Sequence, residues 1–163
     1  IYRNGWFHTG DAGYLKDSHL YLTERIKDLF KTSNGKYISP QALETKLAID
    51  RYIDQIAVIA DERKFVSALI VPVYGFVKDY AKEKGIAYSN MDELLQHSKI
   101  QALFRARIDT LQQQFAHYEQ VKRFTLLTEP FSMERGELTN TLKLKRSVVA
   151  KNYKGLIDKM YEE

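Results

Sequence analysis

Apolar residues along this chain alternate between short dense runs and helical stripes. Residues 56–60 (Ile-Ala-Val-Ile-Ala) and 66–73 (Val-Ser-Ala-Leu-Ile-Val-Pro-Val) are near-continuous apolar runs, and Asp61-Glu62-Arg63-Lys64 separates them. That pattern predicts two buried strands joined by a polar turn. A third run, Phe124-Thr125-Leu126-Leu127, predicts another buried strand. Upstream, β-prone residues 26–32 and 36–38 flank Ser33-Asn34-Gly35, and Asn-Gly between such runs predicts a hairpin. Leu20-Tyr21-Leu22-Thr23 is a further short strand, and Gly5, Gly10 and Gly13 mark tight turns before it.

The remaining apolar positions repeat at helical spacing. Ser39-Pro40 offers an N-cap and a first-turn proline, with Leu43 and Leu47 four apart behind them. Residues 75–84 predict a helix stopped by Gly85, and Asn90-Met91-Asp92-Glu93 has the form of a capping box that opens another. Ile100, Leu103, Phe104, Ile108, Leu111 and Phe115 form one stripe, predicting a long helix over 98–118. Pro130 and Gly136 bracket a polar loop, and Val149, Tyr153, Leu156, Ile157 and Met160 predict a last helix over 147–161. The sum is an α+β domain: an N-terminal β-hairpin and a roughly three-stranded sheet packed by helices.

Composition narrows the classes. The chain of 163 residues is 44% hydrophobic and 12% aromatic, enough to bury a core, which excludes disorder as the main state. No apolar run is long enough to cross a bilayer as a helix. With no cysteine, a disulfide scaffold, a thiolate zinc site and a cysteine nucleophile are excluded. The net charge of +4 admits a polyanionic partner without requiring one. The chain begins at Ile1 without a signal-peptide pattern, so a piece of a longer protein is expected.

Three clusters could carry chemistry. In Gly5-Trp6-Phe7-His8-Thr9-Gly10-Asp11-Ala12-Gly13 the glycine gap matches a P-loop, but Asp11-Ala12 stands where Lys-Ser/Thr is required, so a P-loop is rejected. Asp11 on its glycine-flanked turn either accepts hydrogen bonds from a vicinal diol such as a ribose or stabilises its own turn. Lys143, Lys145 and Arg146 follow a Thr-rich loop, and they suit either a phosphate or carboxylate or a solvated surface. His8, His19, His97 and His117 lack the spacing of metal ligands or of a Ser-His-Asp triad, so no metal site is expected. An aromatic RNA-binding signature is absent, so no nucleic-acid partner is expected.

Taken in order, the glycine cluster, then Leu20-Tyr21-Leu22-Thr23-Glu24-Arg25-Ile26-Lys27-Asp28-Leu29-Phe30-Lys31, then Glu137-Leu138-Thr139-Asn140-Thr141-Leu142-Lys143-Leu144-Lys145-Arg146 closely resemble the C-terminal part of the acyl-adenylate-forming enzymes. These include acyl-CoA synthetases, luciferases and peptide-synthetase adenylation domains. The last phrase, and the helical segment between 75 and 120, resemble the long-chain fatty-acid–CoA ligase branch.

The resemblance implies that residues 1–26 are the tail of a large N-terminal adenylation domain and 27–163 a mobile C-terminal lid. It implies ATP, AMP, CoA and Mg²⁺ as cofactors, with Mg²⁺ held mainly by the large domain, and a fatty acid as the substrate. Asp11 then matches the acid on the ribose hydroxyls, Arg25 a nucleotide contact, and Lys27 the hinge. Lys31 and the loop Ser33, Asn34, Gly35, Lys36 and Tyr37 match the segment that faces the active site and CoA in the thioester-forming state. Lys143 matches the lysine that reaches the carboxylate and α-phosphate. Many members carry Gly before that lysine, where this chain has Leu142, which leaves Lys145 as a rival. Aryl or amino acids are the alternative substrates, and a non-catalytic anion-binding module is the alternative of another class. A cytoplasmic location with peripheral membrane contact is the expected setting, and the fragment alone is expected to be inactive.

Overall fold

The computed structural model describes residues 2–162; the side chains of Tyr2, Arg3, Thr23, Glu24 and Lys27 fall outside the description. The chain opens with two antiparallel hairpins. β1 (Tyr2–Arg3) pairs with β2 (Trp6–Phe7) around Asn4-Gly5, and β3 (Asp11–Lys16) pairs with β4 (His19–Arg25) around Asp17-Ser18. Both turns place two successive residues at positive φ, the geometry that matches strand twist in a two-residue loop. At Gly13 the β3–β4 register shifts, and a Cβ there would lie 2.5 Å from the Tyr21 carbonyl oxygen. A bare α-carbon is what lets the two backbones approach.

A 3-10 turn, Ile26–Asp28, leads to β5 (Phe30–Lys31), which pairs with β6 (Tyr37–Ile38) across the Asn34-Gly35 turn. The hairpin stands where Asn-Gly predicted it, but its first strand is shorter than the β-prone run, since residues 26–28 coil instead of pairing. α1 (Pro40–Leu47) begins as its cap signals require, the Ser39 Oγ accepting from the Ala42 N–H at 3.4 Å.

The centre is a three-stranded sheet in the order β7 (Ile53–Ile59), β8 (Val66–Pro72), β9 (Val121–Leu126). β7 and β8 are antiparallel and β8 and β9 parallel. A parallel pair needs a long crossover, and α2 (Tyr74–Glu83), α3 (Met91–Gln96) and α4 (Ser98–Leu111) supply it. α5 (Arg146–Asn152) and α6 (Lys154–Lys159) cover the other side. Val66, Ala68 and Ile70 of β8 join a core with Leu43, Leu47, Phe104 and Ile108, whereas Leu69 and Val71 join a second core with Phe131, Val149 and Ile157. With helices on both faces, β8 has no wet side, which is why it reads as a continuous apolar run. Its one polar residue, Ser67, is buried, and its Oγ lies 2.8 Å from the Tyr161 hydroxyl.

Two helices are shorter than their stripes predicted. α4 stops at Leu111 because Gln112, buried, turns its amide to the start of β9 and accepts from the Val121 N–H at 2.8 Å. Phe115 still packs against the core, but from the turns that follow. The last stripe breaks at Tyr153, whose backbone (φ −104°, ψ 19°) leaves the helical region while its ring meets Phe131 edge-on at 5.7 Å. The third strand also starts earlier than its apolar run, at Val121.

Candidate functional site

The β3–β4 register sets Asp11 opposite Arg25, and their side chains form an ion pair, Arg25 Nε to Asp11 Oδ1 at 3.1 Å. Thr9 Oγ1 accepts from the Asp11 N–H at 3.1 Å, and Gly10, at φ +82°, turns the chain into β3. The Gly10 carbonyl accepts from the Ile26 N–H at 2.8 Å, tying the turn to the end of β4. Arg25 is exposed and Asp11 half-buried, so the pair adds at most about 1 kcal/mol to stability and leaves both groups open to a ligand. Lys27 lies on the 3-10 turn just beyond; its side chain is outside the described residues.

The loop after β5 is tied down at both ends. Thr32, buried, donates its N–H to the Lys36 carbonyl at 2.9 Å, and its Oγ1 accepts from the Lys36 N–H at 3.1 Å. The loop docks on the turn 61–64: Ser33 N–H donates to the Arg63 carbonyl at 3.0 Å, and Glu62 N–H to the Lys31 carbonyl at 2.8 Å. Asn34 reaches the Lys64 carbonyl at 3.5 Å, and Gly35 takes the left-handed turn position at φ +75°. The side chains of Lys31, Ser33, Asn34, Lys36 and Tyr37 face solvent, with the Lys36 Nζ 5.5 Å from the Tyr118 ring centroid.

The third cluster is a tight hairpin rather than an extended strand. Leu138 and Leu144 form an isolated antiparallel bridge, and the Lys145 N–H donates to the Glu137 carbonyl at 2.8 Å. At the tip, Thr139 N–H donates to the Lys143 carbonyl at 2.8 Å, and Thr139 Oγ1 accepts from the Lys143 N–H at 3.0 Å. Leu142 sits at φ +59° with its side chain 67% exposed. A left-handed conformation costs a leucine about 1–2 kcal/mol, and this is the position before Lys143 where the resembling enzymes often have Gly. Leu142→Gly is therefore expected to raise the stability of the chain by about 1 kcal/mol, since little burial is lost. Urea unfolding of the two proteins checks this, and a destabilised glycine variant would contradict it.

The base of this hairpin is set by two carboxylates that the sequence reading did not single out. Glu137 is fully buried, and Arg135 Nε reaches both its oxygens at 3.1 Å. Ser132 N–H at 3.0 Å and Asn152 Nδ2 at 3.1 Å complete its shell. Burial alone would raise its pKa, but the hydrogen bonds from Arg135, Asn152 and Ser132 outweigh it and hold the carboxyl below the ordinary glutamate range. Glu44 of α1 takes Arg146 in a two-pronged pair at 2.6 Å on each oxygen. Nothing local in the sequence signals that second pairing, which spans 102 positions.

Of the three cations in the basic run, Arg146 is thus engaged, while Lys143 and Lys145 are exposed and make no ion pair among the described residues. The structure brings Asp11 to Arg25, and brings the basic hairpin beside the Phe30 end of the 31–37 loop. No hydrogen bond or ion pair among the described residues joins the Asp11–Arg25 pair to Lys143. No group of three or more His, Asp or Glu side chains among the described residues could hold a metal.

The site is thus built on a three-stranded mixed sheet with helices on both faces, antiparallel hairpins before it and a basic hairpin after it. The chain belongs to the AMP-binding enzyme C-terminal domain family, whose model matches residues 27–163. Long chain acyl-CoA synthetase 2 of Arabidopsis thaliana is 33% identical over 98% of this chain and 25% of its own length. Long-chain-fatty-acid–CoA ligase 5 of Rattus norvegicus is 35% identical over 98% of the chain and 24% of its own length. The chain therefore spans about a quarter of the relatives it matches. Among solved structures, the adenylation domain of a carboxylate reductase from Mycobacterium chelonae superposes with a TM-score of 0.78 at 24% identity, covering 100% of this chain and 24% of that one. The corresponding domain from Segniliparus rugosus, in complex with AMP and a co-purified carboxylic acid, gives 0.74 at 20% identity over 94% of this chain and 23% of that one. These two show the shared fold.

Proposed function

We propose that this chain is the C-terminal part of an AMP-forming long-chain fatty-acid–CoA ligase, with residues 1–26 the tail of the large domain and 27–163 a lid that turns about Lys27. The observation that carries the reading is Lys143, an exposed cation with no ion-pair partner among the described residues, held on a hairpin whose base is fixed by Glu137. The identity to long-chain acyl-CoA synthetases supports the choice of acid.

In the first step the fatty-acid carboxylate attacks the α-phosphorus of ATP, giving acyl-AMP and pyrophosphate. Two anions meet, and Lys143 stabilises the charge that develops between them. Asp11 accepts hydrogen bonds from the ribose hydroxyls, and Arg25 approaches the nucleotide from the neighbouring strand. Mg²⁺, bound with ATP, would neutralise charge on the phosphates; no cluster of carboxylates or histidines among the described residues would hold it. The lid then rotates, the loop Lys31, Ser33, Asn34, Gly35, Lys36 and Tyr37 replaces the Lys143 face, and the CoA thiolate displaces AMP from the acyl carbonyl. No described helix is long and apolar enough to cross a membrane, and a cytoplasmic lid that meets membranes only at their surface is part of the same proposal.

The test uses the longer ligase with Lys143→Ala and Lys145→Ala made separately. Lys143→Ala is expected to slow acyl-AMP formation by on the order of 100-fold or more while preformed acyl-AMP still reacts with CoA. Loss of the first step in Lys145→Ala instead would move the catalytic role two residues along. Unchanged adenylation in both would overturn the mechanism.

A further inference from the structure

Arg146 stands next to both segments that the two half-reactions would use. It follows the Lys143 hairpin directly and is the first residue of α5. Its guanidinium grips Glu44 at 2.6 Å on each oxygen and lies 5.5 Å from the Phe30 ring centroid. Phe30 pairs with Ile38 and closes the neck of the 31–37 loop. Glu44 in turn accepts from the Val58 N–H at 2.8 Å, which anchors the pair to the outer edge of β7. Glu44 is 13% exposed and Arg146 32%, so water weakens the pair little on the Glu44 side. One guanidinium thus links the start of α5, directly after the Lys143 hairpin, to the Phe30 neck of the 31–37 loop and, through Glu44, to α1 and β7.

We propose that the Glu44–Arg146 pair is a positioning pair for both half-reactions: it holds the Lys143 hairpin and the 31–37 loop on one frame, so each face arrives in register when the lid turns. The inference rests on the ligase reading above. It assigns no contact with substrate to either residue. A two-pronged grip needs a planar fork, and the Phe30 contact needs a flat cation, so lysine at 146 keeps the charge and loses most of the geometry. Displacing either loop by about 1 Å can cost up to about 100-fold in rate.

The experiment uses the longer ligase with Arg146→Ala, Arg146→Lys, Glu44→Gln and the double variant Glu44→Gln/Arg146→Ala. Acyl-AMP formation from palmitate and ATP, and thioester formation from preformed palmitoyl-AMP and CoA, are measured separately, each with kcat and KM, beside a thermal melt. The expected result is that Arg146→Ala and Glu44→Gln each lower kcat of both half-reactions by about tenfold or more, with KM for ATP and CoA little changed. Arg146→Lys should recover only part of this, and the double variant should be no slower than Arg146→Ala alone. Glu44→Gln keeps the side-chain volume and its bond to Val58, so the test stands if Arg146→Ala fails to fold. Loss confined to adenylation would overturn the coupling, as would rates that fall only with the folded fraction or do not change. Failure of the ligase reading itself is seen differently, as a wild-type protein that carries out neither half-reaction.

Discussion

Phe104→Ala is expected to destabilise the chain by about 3–5 kcal/mol. Phe104 has no exposed surface and sits midway along α4, facing the sheet. Its ring meets Tyr52 edge-on at 6.1 Å and Phe124 at 6.5 Å, so it bridges the loop before β7 to β9. Alanine would remove the apolar area and also leave a void, because β8 and α1 on either side are held by their own packing and relax only partly. Urea unfolding at neutral pH measures the difference. A loss under about 1 kcal/mol would mean that the first core collapses to fill the space.

Arg135→Ala should have a smaller effect. It strips the buried Glu137 carboxylate of its ion pair and leaves it only the Ser132 N–H and the Asn152 amide. Breaking a buried pair usually costs about 3–5 kcal/mol; here two neutral donors remain and Arg135 is partly exposed, so about 2–3 kcal/mol is expected. The pH dependence has a definite sign. Because the folded state holds the Glu137 carboxyl below its ordinary value of 4.5, its contribution is fully present above that pH and is lost as acidification passes through the lowered value. Arg135→Ala should therefore flatten the stability-against-pH curve on the acid side. Unfolding curves from neutral pH down to about pH 3 check it, and an unchanged acid slope in the variant would show that Glu137 is not the group responsible.

Much of the architecture was legible because burial writes itself into local patterns. β8 is buried on both faces and so appears as an unbroken apolar run; the stripe Ile100, Phe104 and Ile108 marks the inner face of α4. What local pattern could not show were the places where a side chain overrides it. Gln112 ends α4 by serving β9, and Tyr153 breaks the last helix by packing on Phe131. The candidate site divides in the same way. Asp11 with Arg25, and Lys143 after Leu142, stand in short motifs that a single sequence carries. Glu44 acts through a partner chosen by the tertiary fold, Arg146, 102 positions away; Arg135 pairs with Glu137 only two residues on, but nothing in that loop marks the carboxylate as buried before folding. Lys143, Lys145 and Arg146 look alike in sequence, and only the fold separates an engaged arginine from two open lysines.

The double-sided burial of β8 leaves the strand with a problem of alignment. In most half-buried strands a slip of one residue turns polar side chains inward, and that penalty fixes the pairing. Here both sets, Val66, Ala68 and Ile70 on one side and Leu69 and Val71 on the other, are apolar, so hydrophobicity alone hardly distinguishes the two alignments. Ser67 does. Its hydroxyl meets that of Tyr161, which also lies 3.2 Å from the Ile59 carbonyl and 3.0 Å from the Phe65 carbonyl. A one-residue slip would drive that hydroxyl into the α1–α4 core with no partner, at a cost of about 1–3 kcal/mol. A single buried serine, read by a tyrosine near the far end of the chain, thus helps to index the central strand.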